Sequence, residues 1–148
     1  MKAKLSMAVV ILTSLVIAAE FAYTAEPRAA TKEVKLSPEL LNLLRAEMRE
    51  ISAGVQGMAV AMATPDWKSI QETSGKIRAS YIMEKKLTPA QAAELEKALP
   101  EQFKQLDAGF HQRAEKVGAA AAAHDAELVA YHYSRLLESC TTCHAEFA

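Results

Sequence analysis

The sequence predicts an all-α protein, an antiparallel up-down-up-down four-helix bundle with a short extra helix between the second and third main helices. Three observations carry this. Ala, Leu, Glu, Lys and Gln dominate the chain, and they lose little rotamer freedom in a helix. Glycine and proline number only five each in 148 residues, and four of the five prolines sit where helices are expected to start. Apolar residues recur at steps of three and four, whereas the strict alternation and Asn-Gly or Asp-Gly turns of hairpins are missing.

The first segment reads as an export signal. Lys2 and Lys4 precede an apolar run from Leu5 to Ala19, the length of a signal-peptide core and short for a membrane span. Residues 1–25 are therefore expected to direct export to the periplasm, with an uncleaved membrane anchor as the alternative. Residues 26–36 are polar, carry Pro27 and show no periodicity, and they read as a linker. One domain is expected over 37–148.

The first main helix is expected to open on Ser37 as N-cap, Pro38 in the first turn and Glu39 at the positive end of the dipole, and to run to about Ala63. Leu41, Leu44, Met48, Ile51, Val55, Met58 and Met62 mark its seam. Thr64 and Pro65 repeat the cap-then-proline signal for a second helix reaching about Lys86, with Trp67, Ile70, Ile77 and Tyr81 on one side. Lys85 and Lys86 read as a solvated turn or a docking patch for an acidic partner.

Thr88, Pro89 and Gln91 have capping-box spacing and open the short helix, which ends near Leu99. Pro100 fits the first turn of the third main helix, whose Phe103, Leu106, Phe110, Ala114, Val117 and Ala121 form a stripe that Gly118 weakens locally. Asp125 caps the fourth, with Val129, Tyr133, Leu136, Cys140, Cys143 and Phe147 along its seam. Up-down order sets the last turns of this helix beside the first turns of the first and third. At about 1.5 Å per residue, Met48 then falls in the same half of the bundle as Cys140 to His144.

The chemistry lies in Cys140-Thr141-Thr142-Cys143-His144, the C-x-x-C-H pattern of c-type haem attachment. On a helix this spacing puts both sulfurs and the imidazole on nearly one face, so two thioethers can fix a porphyrin edge while His144 reaches the iron. The alternatives fare worse. A structural zinc site wants four protein ligands, a thioredoxin-like pair expects a βαβ context, and no further cysteines exist to build a disulfide framework.

These residues give the chain a resemblance to the cytochrome c′ family, the class II c-type cytochromes. It is carried by Ser37-Pro38-Glu39, Arg45 and Cys-x-x-Cys-His-x-x-Phe over Cys140–Phe147, and covers about residues 37–148. Relatives often place a basic residue between the cysteines and another after the final aromatic, where this chain has Thr141, Thr142 and Ala148. The resemblance implies one covalent haem c and two types of member: low-spin with a methionine from the first helix, or high-spin with that face open to nitric oxide or carbon monoxide. It also makes a homodimer an expectation.

Met48 is the expected sixth ligand, since thioether ligation favours ferrous iron, and Met58 and Met62 read as core filling. His111 is the second choice, or a partner of Asp107 one turn earlier; His124 reads as a loop residue and His132 as structural. Leu44, Phe103, Tyr133, Leu136 and Phe147 are the expected pocket walls. One-electron transfer with an unidentified redox partner protein is the expected function, with gas binding as the alternative. The formal net charge of −1 argues against nucleic acid, and no nucleophile–base pair, phosphate loop or paired-His signature points to an enzyme.

Overall fold

The computed structural model describes residues 31–83 and 87–148; the leader and the Lys85-Lys86 pair lie outside them. Among the described residues there are five helices and no strand: α1 Pro38–Ala63, α2 Trp67–Arg78, α3 Pro89–Ala98, α4 Glu101–Ala122 and α5 Ala126–Phe147. The all-α bundle with a short helix between its second and third main helices is thus the observed fold.

Side-chain caps set most of the boundaries. Ser37 accepts from the Leu40 N–H, Thr88 and Gln91 close a capping box on α3, and Asp125 accepts from the Leu128 N–H at 2.9 Å. Each satisfies an amide that the helix itself leaves unpaired. Glu101 opens α4 with Pro100 in the cap position and no side-chain cap.

The second helix departs from expectation at both ends. Its cap is Asp66, which accepts from the Ser69 N–H at 3.1 Å, while the Thr64 hydroxyl turns back to donate to the Val60 and Ala61 carbonyls and closes α1. Helix α2 stops at Arg78, well before Lys86, because Ser80 adopts a left-handed backbone with φ 51°. The amides beyond it, of Tyr81, Ile82 and Met83, then donate to the Glu47 carboxylate of α1 at 2.8, 2.5 and 3.2 Å. Tyr81 consequently lies outside the helix, although it still packs on the core. Gly54 makes this approach possible: a Cβ there would lie 2.5 Å from the Tyr81 hydroxyl.

Helix ends meet in antiparallel order. Trp67 at the start of α2 stacks on His124 past the end of α4, at 5.4 Å between rings, and Phe103 near the start of α4 meets Phe147 at the end of α5 at 5.2 Å. The core gathers Val55 and Met58 of α1, Ile70 and Ile77 of α2, Ala114, Val117 and Ala121 of α4, and Val129 and Leu136 of α5. Small residues let α2 and α4 come close, Gly118 lying where a Cβ would be 3.1 Å from the Ser74 Cβ. Helices α2–α4 and α4–α5 share long interfaces, whereas α1 and α5 touch only briefly. The buried face of α1 is Leu40, Glu47, Ile51, Val55, Met58 and Ala61, so the expected seam is rotated in the first half of the helix. Leu44 and Met48 fall beside the packed core rather than inside it.

Candidate functional site

Where α1 and α5 stand apart, a cavity of about 470 Å³ opens between α1, α4 and α5. Helix α5 contributes Cys140, Cys143, His144 and Phe147, α1 contributes Leu44, Met48, Ile51 and Val55, and α4 contributes Phe103, Leu106, Asp107 and Phe110. The steps of three and four from Cys140 to Phe147 put these α5 side chains on the face turned to the gap. Thr141 and Thr142, between the cysteines, are exposed and send their hydroxyls back to the Glu138 carbonyl, each at 2.9 Å.

Both cysteines are half-buried and unpaired by any disulfide. Burial pushes both thiols up from their usual range, and at Cys143 the Asp107 carboxylate and then Cys140 add to it. They therefore stay protonated at neutral pH. Charged groups on the cavity wall are few, so a large flat apolar group meets Leu, Met, Phe and Val side chains there.

The expected pocket residues divide. Leu44, Met48, Phe103, Phe147, Cys140, Cys143 and His144 line the cavity together. Tyr133 and Leu136 do not: Leu136 is wholly inside the core, and Tyr133, about two turns before Cys140, donates its hydroxyl to the Val55 carbonyl at 3.0 Å. His111 lies outside this cavity. Its Nδ1 is 2.7 Å from the Ile77 carbonyl, so that nitrogen carries hydrogen and donates, and Nε2 stands 3.6 Å from Asp107. The Asp107 carboxylate one turn earlier is thus within ion-pair reach of His111, a pair that forms only when the imidazole is protonated.

Three residues escaped the sequence reading. Glu47 is 3% exposed and fixes the chain after α2 against α1, directly before Met48. Its place on the apolar stripe, three residues after Leu44 and four before Ile51, was the available signal. Arg113 of α4 donates to the Arg135 carbonyl at 2.6 Å and the Ser139 hydroxyl at 2.8 Å, holding α5 just before Cys140. Lys32, in the stretch read as linker, pairs its amide with the Glu146 carbonyl and its ammonium with Gln102 and Glu146, 5.8 Å from the centre of the Phe147 ring. No periodicity marks that contact. Lys32 also places a cation beside the final aromatic, where the chain itself continues with Ala148.

An α-helical bundle that turns two cysteines and a histidine in C-x-x-C-H order into an apolar gap has the build of a c-type haem protein, and its donor set fits that group. A family model described as Cytochrome C' matches residues 32–148. The chain belongs to the cytochrome c′ family, a family of c-type haem cytochromes. No curated protein and no solved structure gives a significant match.

Proposed function

We propose that the chain is a periplasmic one-electron carrier, not an enzyme, with one haem c held covalently by Cys140 and Cys143, His144 as proximal iron ligand and Met48 as the sixth. The observation that carries this reading is the single cavity that gathers a thiol pair, an imidazole and a thioether from α5 and α1. The haem would supply a ferric/ferrous couple. The chain's own residues do the rest. Leu44, Ile51, Val55 and Phe103 keep water from the group, Arg113 and Lys32 hold the two ends of the α5 segment that carries it, and the lysine-flanked leader directs export. The electron donor and acceptor are taken to be redox proteins.

A second reading, binding of nitric oxide or carbon monoxide, draws on one observation. Met48 is 39% exposed and is not wedged into the core. A visible spectrum separates the two. If the first reading holds, the ferric protein is low-spin. Met48→Ala then turns it high-spin, lowers its potential and speeds carbon monoxide binding, while His111→Ala leaves the spin state alone. A wild-type protein that is already high-spin, or a Met48→Ala spectrum identical to it, makes Met48 a packing residue and leaves gas binding as the function.

A further inference from the structure

The chain leading into α1 crosses the open end of the bundle. Lys32 lies against the last turn of α5: its N–H donates to the Glu146 carbonyl at 2.6 Å, and its ammonium donates to the Glu146 carboxylate at 2.9 Å and to the Gln102 side chain of α4. Further along, Ser37, the N-cap of α1, donates its N–H and its hydroxyl to the Glu94 carboxylate of α3 at 2.7 and 3.2 Å. Residues 32–37 therefore run from the end of α5 to the start of α1, two helices that otherwise touch only briefly.

We propose that this segment is a strap that sets the width of the haem gap, with Lys32 as the positioning residue for the α5 turn that carries His144. The proposal rests on the haem reading above.

The need for a strap comes from the helix itself. The last four carbonyls of an α-helix have no partner within it, so its last turn is the least firmly held, and His144 stands in that turn of α5. Toward α4 the turn has the contact of Phe147 with Phe103. Toward α1 it has the gap. Lys32 gives it an amide for one of those carbonyls and a cation at the negative end of the helix dipole, 5.8 Å from the centre of the Phe147 ring. An exposed ion pair alone contributes little, but here one residue adds a backbone bond and a ring contact to the pair. From Lys32 to Pro38 the chain can span at most about 20 Å, so the end of α5 cannot swing far from α1 while these contacts hold. The gap kept in this way has Leu44 and Met48 on one wall and Cys143 and His144 on the other.

Amide exchange and redox titration of the haem-loaded protein test the strap. Lys32→Met removes the ammonium and keeps the N–H, whereas Lys32→Pro removes both. Exchange of the amides from His144 to Ala148 should quicken about threefold in the first and about tenfold in the second, while that of Ala114 to Ala121 in α4 stays slow. A wider gap admits water to the iron and favours the ferric state, so the ferrous-to-ferric ratio at a fixed applied potential should fall about twofold in Lys32→Met and about threefold in Lys32→Pro. Lys32→Arg should keep both readings near those of the wild type. Lys35→Met separates position from charge, because it takes an equal charge from the same strap, where Lys35 is exposed beside Glu33, and it should change neither reading. Lys32→Met keeps the test decisive if the proline variant folds poorly. Exchange as slow in the Lys32 variants as in the wild type overturns the strap. Quickened exchange with an unchanged ratio overturns the positioning role, and so does an equal fall of the ratio in Lys35→Met. A chain that takes up no covalent haem overturns the haem reading instead, and amide exchange reports on the strap in that chain as well.

Discussion

The two ends of the bundle solve different problems with the same four helices. At the closed end, Met58, Ile70, Ala114, Val117 and Leu136 are 0% exposed, and Gly118 lets Ser74 into contact. At the open end, larger side chains such as Leu44, Met48, Phe103 and Phe147 remain partly exposed around a gap. The difference teaches where stability and function reside. The closed end supplies the buried apolar area that holds the bundle together. The open end forgoes part of it to keep cysteines, histidine and methionine facing one space.

Substitutions that remove the same kind of atoms from each end test this contrast most strongly. Met58→Ala should cost about 2–5 kcal/mol of unfolding free energy and leave the haem spectrum unchanged. Leu44→Ala, on the cavity wall, should cost clearly less. Equal losses from the two in denaturant unfolding would erase the distinction.

Glu47 bridges the two ends, and its replacement sharpens the boundary between them. Glu47→Leu leaves the amides of Tyr81, Ile82 and Met83 without their acceptor. The expected loss is about 3 kcal/mol, as for hydrogen bonds to a charged group in a part-buried place. Amide exchange over Tyr81–Met83 should quicken while that of α4 and α5 stays slow. Unchanged exchange there would mean that Glu47 does not hold the segment.

The smallest effect is alkaline. Burial, chiefly, raises the pKa of Tyr81 and Tyr133, with Glu50 and then Glu47 adding to it at Tyr81 and Cys140 at Tyr133. The unfolded chain releases these phenolic protons near pH 10, before the folded chain does. The folded state then binds more protons, so stability is fully present below that pH and falls as the pH rises through the folded values. Tyr133→Phe should flatten this decline in urea titrations while removing the Val55 hydrogen bond, at about 1 kcal/mol near neutrality.

Much of this was legible because local chemistry and tertiary structure agree. Ser37, Thr88 with Gln91, and Asp125 cap helices where their side chains predict, and the C-x-x-C-H spacing has one helical consequence. The misses arise where a distant group overrides a local preference. Nothing between Arg78 and Lys86 forbids helix, yet Glu47, more than 30 residues earlier, captures the amides that would continue it. Thr64-Pro65 imitates a helix start, but the hydroxyl serves the preceding helix and Asp66 is the better acceptor. Tyr133 and Leu136 share the cysteines' seam, and only the separation of α1 from α5 decides which part of that seam meets the gap. Lys32 is fixed wholly by long-range contacts with Gln102 and Glu146.

The central claim is that Cys140 and Cys143 hold the haem, and intact-protein mass spectrometry under denaturing conditions tests it most directly. Protein made in a host that matures c-type cytochromes should carry the added mass of one haem after denaturation, and Cys140→Ala/Cys143→Ala should carry none. A wild-type chain that gives up all its haem to acidified organic solvent and returns to the bare polypeptide mass would contradict the account.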